Sequence, residues 1–166
     1  MTKKELKAVD RIHSLLLEAE KIAKDNLDLD NIFYNERFVE LFTAAELDHE
    51  YGNNTQGGDA LEVDINKPTE YKAINTRSKG TGSFQFHWLS ENKIKKYRQT
   101  ENMYFIMRDG VTPKEIYQVS TEKIMPYLDK NATGSKDIDG HSSFTIDKLI
   151  TELGAVKVVT RKTNRF

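Results

Sequence analysis

Cysteine is absent from the 166 residues, which excludes a disulfide framework, a thiolate metal site and a cysteine nucleophile. Any metal must be held by oxygen or imidazole. Long apolar runs are absent as well: no stretch approaches the roughly 20 residues that cross a bilayer, so a helical membrane protein is excluded. Met1 to Leu6 are polar and Lys-rich, without the apolar stretch of a signal peptide, and the expected location is the cytoplasm. The three prolines and nine glycines are scattered, and neither an internal repeat nor a low-complexity tract divides the chain, so one domain is expected.

A net charge of −1 argues mildly against a protein that lives on nucleic acid, because Lys and Arg supply most non-specific affinity for phosphates. The distribution says more than the sum. Residues 1–64 hold 7 basic and 15 acidic residues, leaving 18 and 11 in 65–166, so the two parts carry −8 and +7. Within the second part Lys72, Arg77, Lys79, Lys93, Lys95, Lys96 and Arg98 face one acid, Glu91. The stretch reads either as a phosphate-facing surface or as a solvated charged face.

Hydrophobic periodicity predicts an α+β chain. Leu6, Val9, Ile12, Leu15, Leu16, Ala19, Ile22 and Ala23 make Thr2–Lys24 an amphipathic helix, with Thr2 and Glu5 spaced as a capping box. A second helix is predicted over Glu36–Leu47, capped by Asn35, with Phe38, Val39, Phe42 and Leu47 inward. Ala60–Val63 and Thr69–Ile74 read as strands around an Asn66-Lys67-Pro68 turn. Phe84, Phe86 and Trp88 alternate with Gln85 and His87 at strand period. Ser90 caps a short basic helix to Arg98. Strands over Met103–Arg108 and Glu115–Val119 join through Asp109-Gly110. A short helix limited by Pro126 follows over Thr121–Leu128, then a polar loop over Asp129–Ser143, a helix over Phe144–Leu153 closed by Gly154, and a strand over Ala155–Thr160. This order, helices first and then a central mixed sheet flanked by helices, divides the chain into 1–47, 48–119 and 120–166.

The chemistry is most visible at Asp59, Glu70 and Lys72. Residues i and i+2 of a strand share a face, so Glu70 and Lys72 project together. If the preceding strand begins near Asp59 and returns through the turn, its carboxylate approaches Glu70. Hard oxygen ligands of this kind suit Mg²⁺, which polarises a scissile phosphate and helps generate the attacking hydroxide, while a lysine orients or deprotonates the water or steadies the developing charge. Taken alone, Glu-x-Lys also reads as a same-face surface ion pair worth less than roughly 1 kcal/mol. Glu62 and Asp64 compete with Asp59 as the first ligand.

Wider context extends the pattern. Gly-Gly-Asp59-Ala-Leu, Glu70-Tyr-Lys72-Ala-Ile-Asn75, Lys96-Tyr97-Arg98-Gln99, Ile106–Arg108 and Glu115-Ile-Tyr117, with Asn31-Ile-Phe33 before them and Lys136-Asp-Ile138 after, resemble the PvuII-like Type II restriction endonucleases of the PD-(D/E)XK nuclease superfamily. The resemblance implies a restriction-endonuclease-like fold and a homodimer that hydrolyses both strands of a short palindromic site in double-stranded DNA with Mg²⁺. It also implies an N-terminal helix used for dimerisation and a companion DNA methyltransferase. By it, Asp59 and Glu70 are metal ligands, Lys72 is the catalytic lysine, and Tyr97 stands near a second metal position or simply packs on the basic helix. The family's consecutive histidines on the recognition strand are replaced here by Phe86-His87-Trp88. His87 is the retained candidate for guanine, Gln85 for adenine, and His141 or Ser142 for late-loop contacts. Asn35 is either a minor-groove contact or a helix cap. Lys79, Lys93, Lys96 and Arg98 are candidates for the DNA backbone. Two other readings stay open: a structure-directed nuclease resembling junction resolvases, and a DNA-binding module without catalysis.

Overall fold

The computed structural model describes residues 1–52, 57–77, 82–132 and 140–158, which fall into two compact units, Met1–Phe38 and Val39–Phe166. In the first, helix α1 spans Lys3–Leu27. The capping box forms: the Thr2 hydroxyl accepts from Glu5 N–H at 3.3 Å and the Glu5 carboxylate accepts from Thr2 N–H at 2.6 Å. The helix runs three residues past Lys24 and stops at Asp28, whose left-handed backbone turns its N–H onto the Ala23 and Lys24 carbonyls. Leu6, Val9, Ile12, Leu15, Leu16 and Ile22 are exposed along it. No helix among the described residues is long and apolar enough to cross a membrane.

Helix α2 spans Arg37–Leu47, preceded by a 3-10 turn over Tyr34–Glu36. The expected cap at Asn35 is corrected, because its backbone is left-handed (φ 49, ψ 33) and an N-cap needs an extended one. The inward face is right at Val39, which is buried, and at Leu47, which packs half-buried on the smaller core; it is corrected at Phe42, which is exposed, while Thr43 and Ala44 are buried instead. Ala44 packs in a cluster with Ala60, Tyr71 and Tyr104, where small helix residues make room for the large rings.

The second unit is built on a five-stranded sheet: β1 Ala60–Glu62, β2 Lys67–Asn75, β4 Asn102–Asp109, β5 Thr112–Ser120 and β7 Val156–Val158, in the order β1-β2-β4-β5-β7. Strands β2 and β4 are parallel and the other pairs antiparallel, so the sheet is mixed as expected. Side chains of β4 alternate between two cores. Met103 and Phe105 join the larger cluster on one face, Tyr104 and Ile106 the smaller on the other.

The crossover from β2 to β4 carries β3 (Ser83–Phe86) and α3 (Glu91–Tyr97). Ser90 caps α3 as expected, accepting from Lys93 N–H at 3.3 Å. Four details differ from expectation. β2 begins at Lys67 because a 3-10 turn over Val63–Ile65, ended by left-handed Asn66, completes the reversal sooner. β3 stops at Phe86, short of Trp88. Helix α4 runs Thr121–Asn131 straight through Pro126, which lies on its exposed side. Phe144 belongs to an additional strand, β6 (Ser142–Thr145), antiparallel to β3, so α5 starts only at Ile146 with Thr145 as its cap.

Candidate active site

Pairing of β1 with β2 places Ala60 opposite Thr69 and therefore brings Asp59 beside the start of the Glu70-Tyr-Lys72 segment. Asp59 N–H donates to the Thr69 carbonyl at 2.8 Å, and the Asp59 carboxylate accepts Tyr71 N–H at 2.8 Å. The preceding glycine permits this approach: a Cβ on Gly58 would stand 2.7 Å from the Thr69 carbonyl oxygen. Glu70 and Lys72 share a face, as strand geometry requires. The Lys72 ammonium donates to Glu70 Oε1 and, at 3.1 Å, to the Tyr71 carbonyl. Their side chains are only 17% and 6% exposed for Lys72 and Glu70 respectively.

Aromatic rings confine the lysine. Its Nζ lies 5.2 Å from the Phe86 ring centroid and 5.8 Å from that of Tyr97, within cation–π range. Burial pushes the Lys72 ammonium toward neutrality, but the charges of Glu70 and Asp59 outweigh it and leave the pKa raised. Lys72 is thus cationic. Burial, and after it the Glu70 charge, lifts the Asp59 carboxyl to about 7 against the pull of Lys72. Such a site stores unfavourable electrostatics that a divalent cation relieves.

Two buried polar atoms beside these carboxylates accept or donate no hydrogen bond. Glu70 Oε2 and the Tyr97 hydroxyl are buried without a hydrogen-bond partner, and burial followed by the Glu70 charge holds the Tyr97 phenol protonated. Among the described residues no group of three or more His, Cys, Asp or Glu side chains converges. Two carboxylates suit Mg²⁺, which keeps several waters and takes its remaining ligands from a phosphate. The two competing carboxylates are placed differently. Glu62 is engaged by the Asn102 amide at 3.0 and 3.3 Å, and Asp64 sits exposed in the turn before β2.

Sequence reasoning missed two neighbours. Phe86 reads in the sequence as a strand residue of the recognition stretch, and its ring comes over Lys72 because β3 packs beside β2. Glu40 of α2 adds a further negative charge acting on both Asp59 and Lys72, with a carboxylate that accepts the Tyr51 hydroxyl at 3.1 Å.

A second group gathers where β3 meets β6. His141 Nε2 lies 2.6 Å from Gln85 Oε1, so that nitrogen carries the hydrogen. The His87 and His141 rings stand 5.2 Å apart, and both are exposed. Three separately expected base-reading candidates are therefore neighbours. Ser142 is a correction: it is buried, and its hydroxyl accepts from Asn131 Nδ2 at 2.8 Å and donates its one hydrogen to the Tyr127 carbonyl at 3.3 Å, so it is turned into the fold and away from a base. Lys93 donates to the His87 carbonyl at 3.0 Å. Lys96 Nζ stands 4.0 Å from Glu70 Oε2 and so faces the carboxylates. Arg98 is paired with Asp129 at 2.6 Å, which offsets its charge. Asn35 is exposed in the first unit, and Lys79 lies outside the described residues.

The family model for restriction endonuclease PvuII matches residues 4–143. The chain belongs to this family. It is a Type II restriction endonuclease, a DNA-binding nuclease and hydrolase. The PvuII-family match spans every element from α1 into β6, including all three residues of the carboxylate–lysine group. No curated protein matches the chain.

Proposed function

We propose that the chain cuts both strands of a short palindromic duplex as a homodimer, with Asp59 and Glu70 holding Mg²⁺ and Lys72 acting on the reacting oxygens. The observation that carries this reading is the meeting of two carboxylates and an ammonium group beside a buried Glu70 oxygen that accepts no hydrogen bond and has only the Lys96 ammonium 4.0 Å away. Bound there, Mg²⁺ supplies a Lewis acid for the scissile phosphate and a water of lowered pKa. Lys72 spends two of its three N–H groups on Glu70 and the Tyr71 carbonyl, leaving one for the attacking water or a phosphate oxygen. Phe86 and Tyr97 fix its direction and exclude bulk water. Lys96 and Lys93 add positive charge beside the carboxylates for the DNA backbone. His87, His141 and Gln85 read base edges in the major groove.

Dimerisation is supported by the exposed apolar residues of α1 and by the chemistry itself, since one centre cuts one strand and a palindrome matches a two-fold axis. Digestion of linear phage DNA with Mg²⁺, followed by sequencing of the fragment ends, tests the reading. Discrete fragments sharing one palindromic end sequence support it. Cutting confined to branched DNA, or binding without cutting, overturns it.

A further inference from the structure

Seven described non-glycine residues have a positive φ. Five are Asp or Asn, whose short polar side chains tolerate that conformation. Trp88 is the bulky aromatic of the set, with φ 51, and its side chain is not packed: the residue is 67% exposed. The strain is imposed by what surrounds it. Leu89, next in the chain, is fully buried and donates its N–H to the Gly140 carbonyl at 3.0 Å, while Ser90 N–H returns to the Trp88 carbonyl at 2.8 Å. Gly140 comes so close that a Cβ there would lie 2.4 Å from the Asn131 carbonyl oxygen and 3.1 Å from Leu89 Cβ. The backbone is held immediately after Trp88, and the indole is sent outward at a conformational cost. Strain of this kind, held by the surrounding fold, collects at functional sites.

The direction in which it points is informative. The Trp88 ring lies 5.8 Å from that of His87, which lies 5.2 Å from His141, whose Nε2 meets Gln85. Half-buried Gln85, whose Nε2 donates to Ser83 Oγ at 2.6 Å, and exposed His141, His87 and Trp88 thus form one row of three polar side chains and one apolar ring. Every base pair offers hydrogen-bonding groups in the major groove, but the apolar feature there is the thymine methyl group. An aromatic ring in a row of base readers has that partner available. Building on the DNA-cleaving reading above, we propose that Trp88 is a specificity-determining residue whose indole contacts a thymine methyl in the bound duplex.

Trp88 is the one tryptophan of the chain, so tryptophan fluorescence reports on the surroundings of this residue. The test uses the full chain and two versions of one linear substrate, amplified with thymidine or deoxyuridine triphosphate, which differ only in the thymine methyls. Native protein is expected to cut the thymine substrate at least about fourfold more efficiently, the effect of burying one methyl. Trp88→Phe should keep part of that preference. Trp88→Gly should lose it while melting no lower than the native chain, because glycine relieves the positive φ. With Ca²⁺ in place of Mg²⁺, cleavable duplex should change the emission of the native protein. Equal cutting of both substrates by native protein overturns the proposal, as does a lower melting temperature for Trp88→Gly, which marks a structural role. Failure of native protein to cut either substrate overturns the nuclease reading itself and is thereby distinguished.

Discussion

Replacing Asp59 with asparagine should make the metal-free protein more stable. The amide oxygen still accepts the Tyr71 N–H, while the charge that burial and Glu70 both oppose is removed. Asp59 holds its proton to about pH 7 in the fold, against about 3.9 in an unfolded chain. The sign follows. Below about pH 4 both states are protonated and the group contributes nothing. Between pH 4 and 7 the unfolded state ionises first, so stability falls as pH rises, and above pH 7 the full cost is present. Three decades correspond to an upper bound on the order of 4 kcal/mol, which water entry and relaxation around Lys72 reduce to about 1–3 kcal/mol. For a chain of this size each kcal/mol moves the melting temperature by about 2–4 °C. Thermal melts in EDTA should therefore show Asp59→Asn above native by several degrees at pH 8 and by distinctly less at pH 5. A gain that ignores pH, or a variant that melts lower at pH 8, refutes the reasoning.

Other expectations share this electrostatic origin. Mg²⁺ should raise the native melting temperature more at pH 8 than at pH 5, because proton and metal compete for Asp59, and Glu70→Gln should abolish the rise. Phe86→Leu should cost about 1 kcal/mol of stability in urea unfolding yet slow cleavage by a larger factor, since Lys72 loses the ring that directs it; equal losses would show that Phe86 only packs. Gly58→Ala should disturb the β1–β2 approach that sets Asp59, weakening Mg²⁺ binding in calorimetry even though Gly58 bears no side chain to bind it.

What the sequence disclosed was mostly local. The Thr2–Glu5 capping box, the Ser90 cap and the shared face of Glu70 and Lys72 each depend on residues two or three apart, and all formed as read. Strand β6 was not legible, because Ser-Ser-Phe-Thr is too short to announce itself and exists through pairing with β3 some 60 residues earlier. The apolar alternation through Phe84 and Phe86 continued on paper to Trp88. The backbone breaks it there because Leu89 is drawn inward to Gly140. The carboxylates proposed to hold the metal were legible as candidates, but the preference for Asp59 over Glu62 and Asp64 rests on the pairing register and the Asn102 contact. Phe86 over Lys72 requires β3 to pack beside β2, which no local pattern encodes.

The most direct test of the central claim is single-turnover cleavage of linear duplex DNA by the native chain and by Lys72→Ala, at saturating Mg²⁺, with DNA binding measured in Ca²⁺. Cleavage should fall by at least about two orders of magnitude while binding holds. Comparable cleavage by the alanine variant would show that Lys72 takes no part in the reaction.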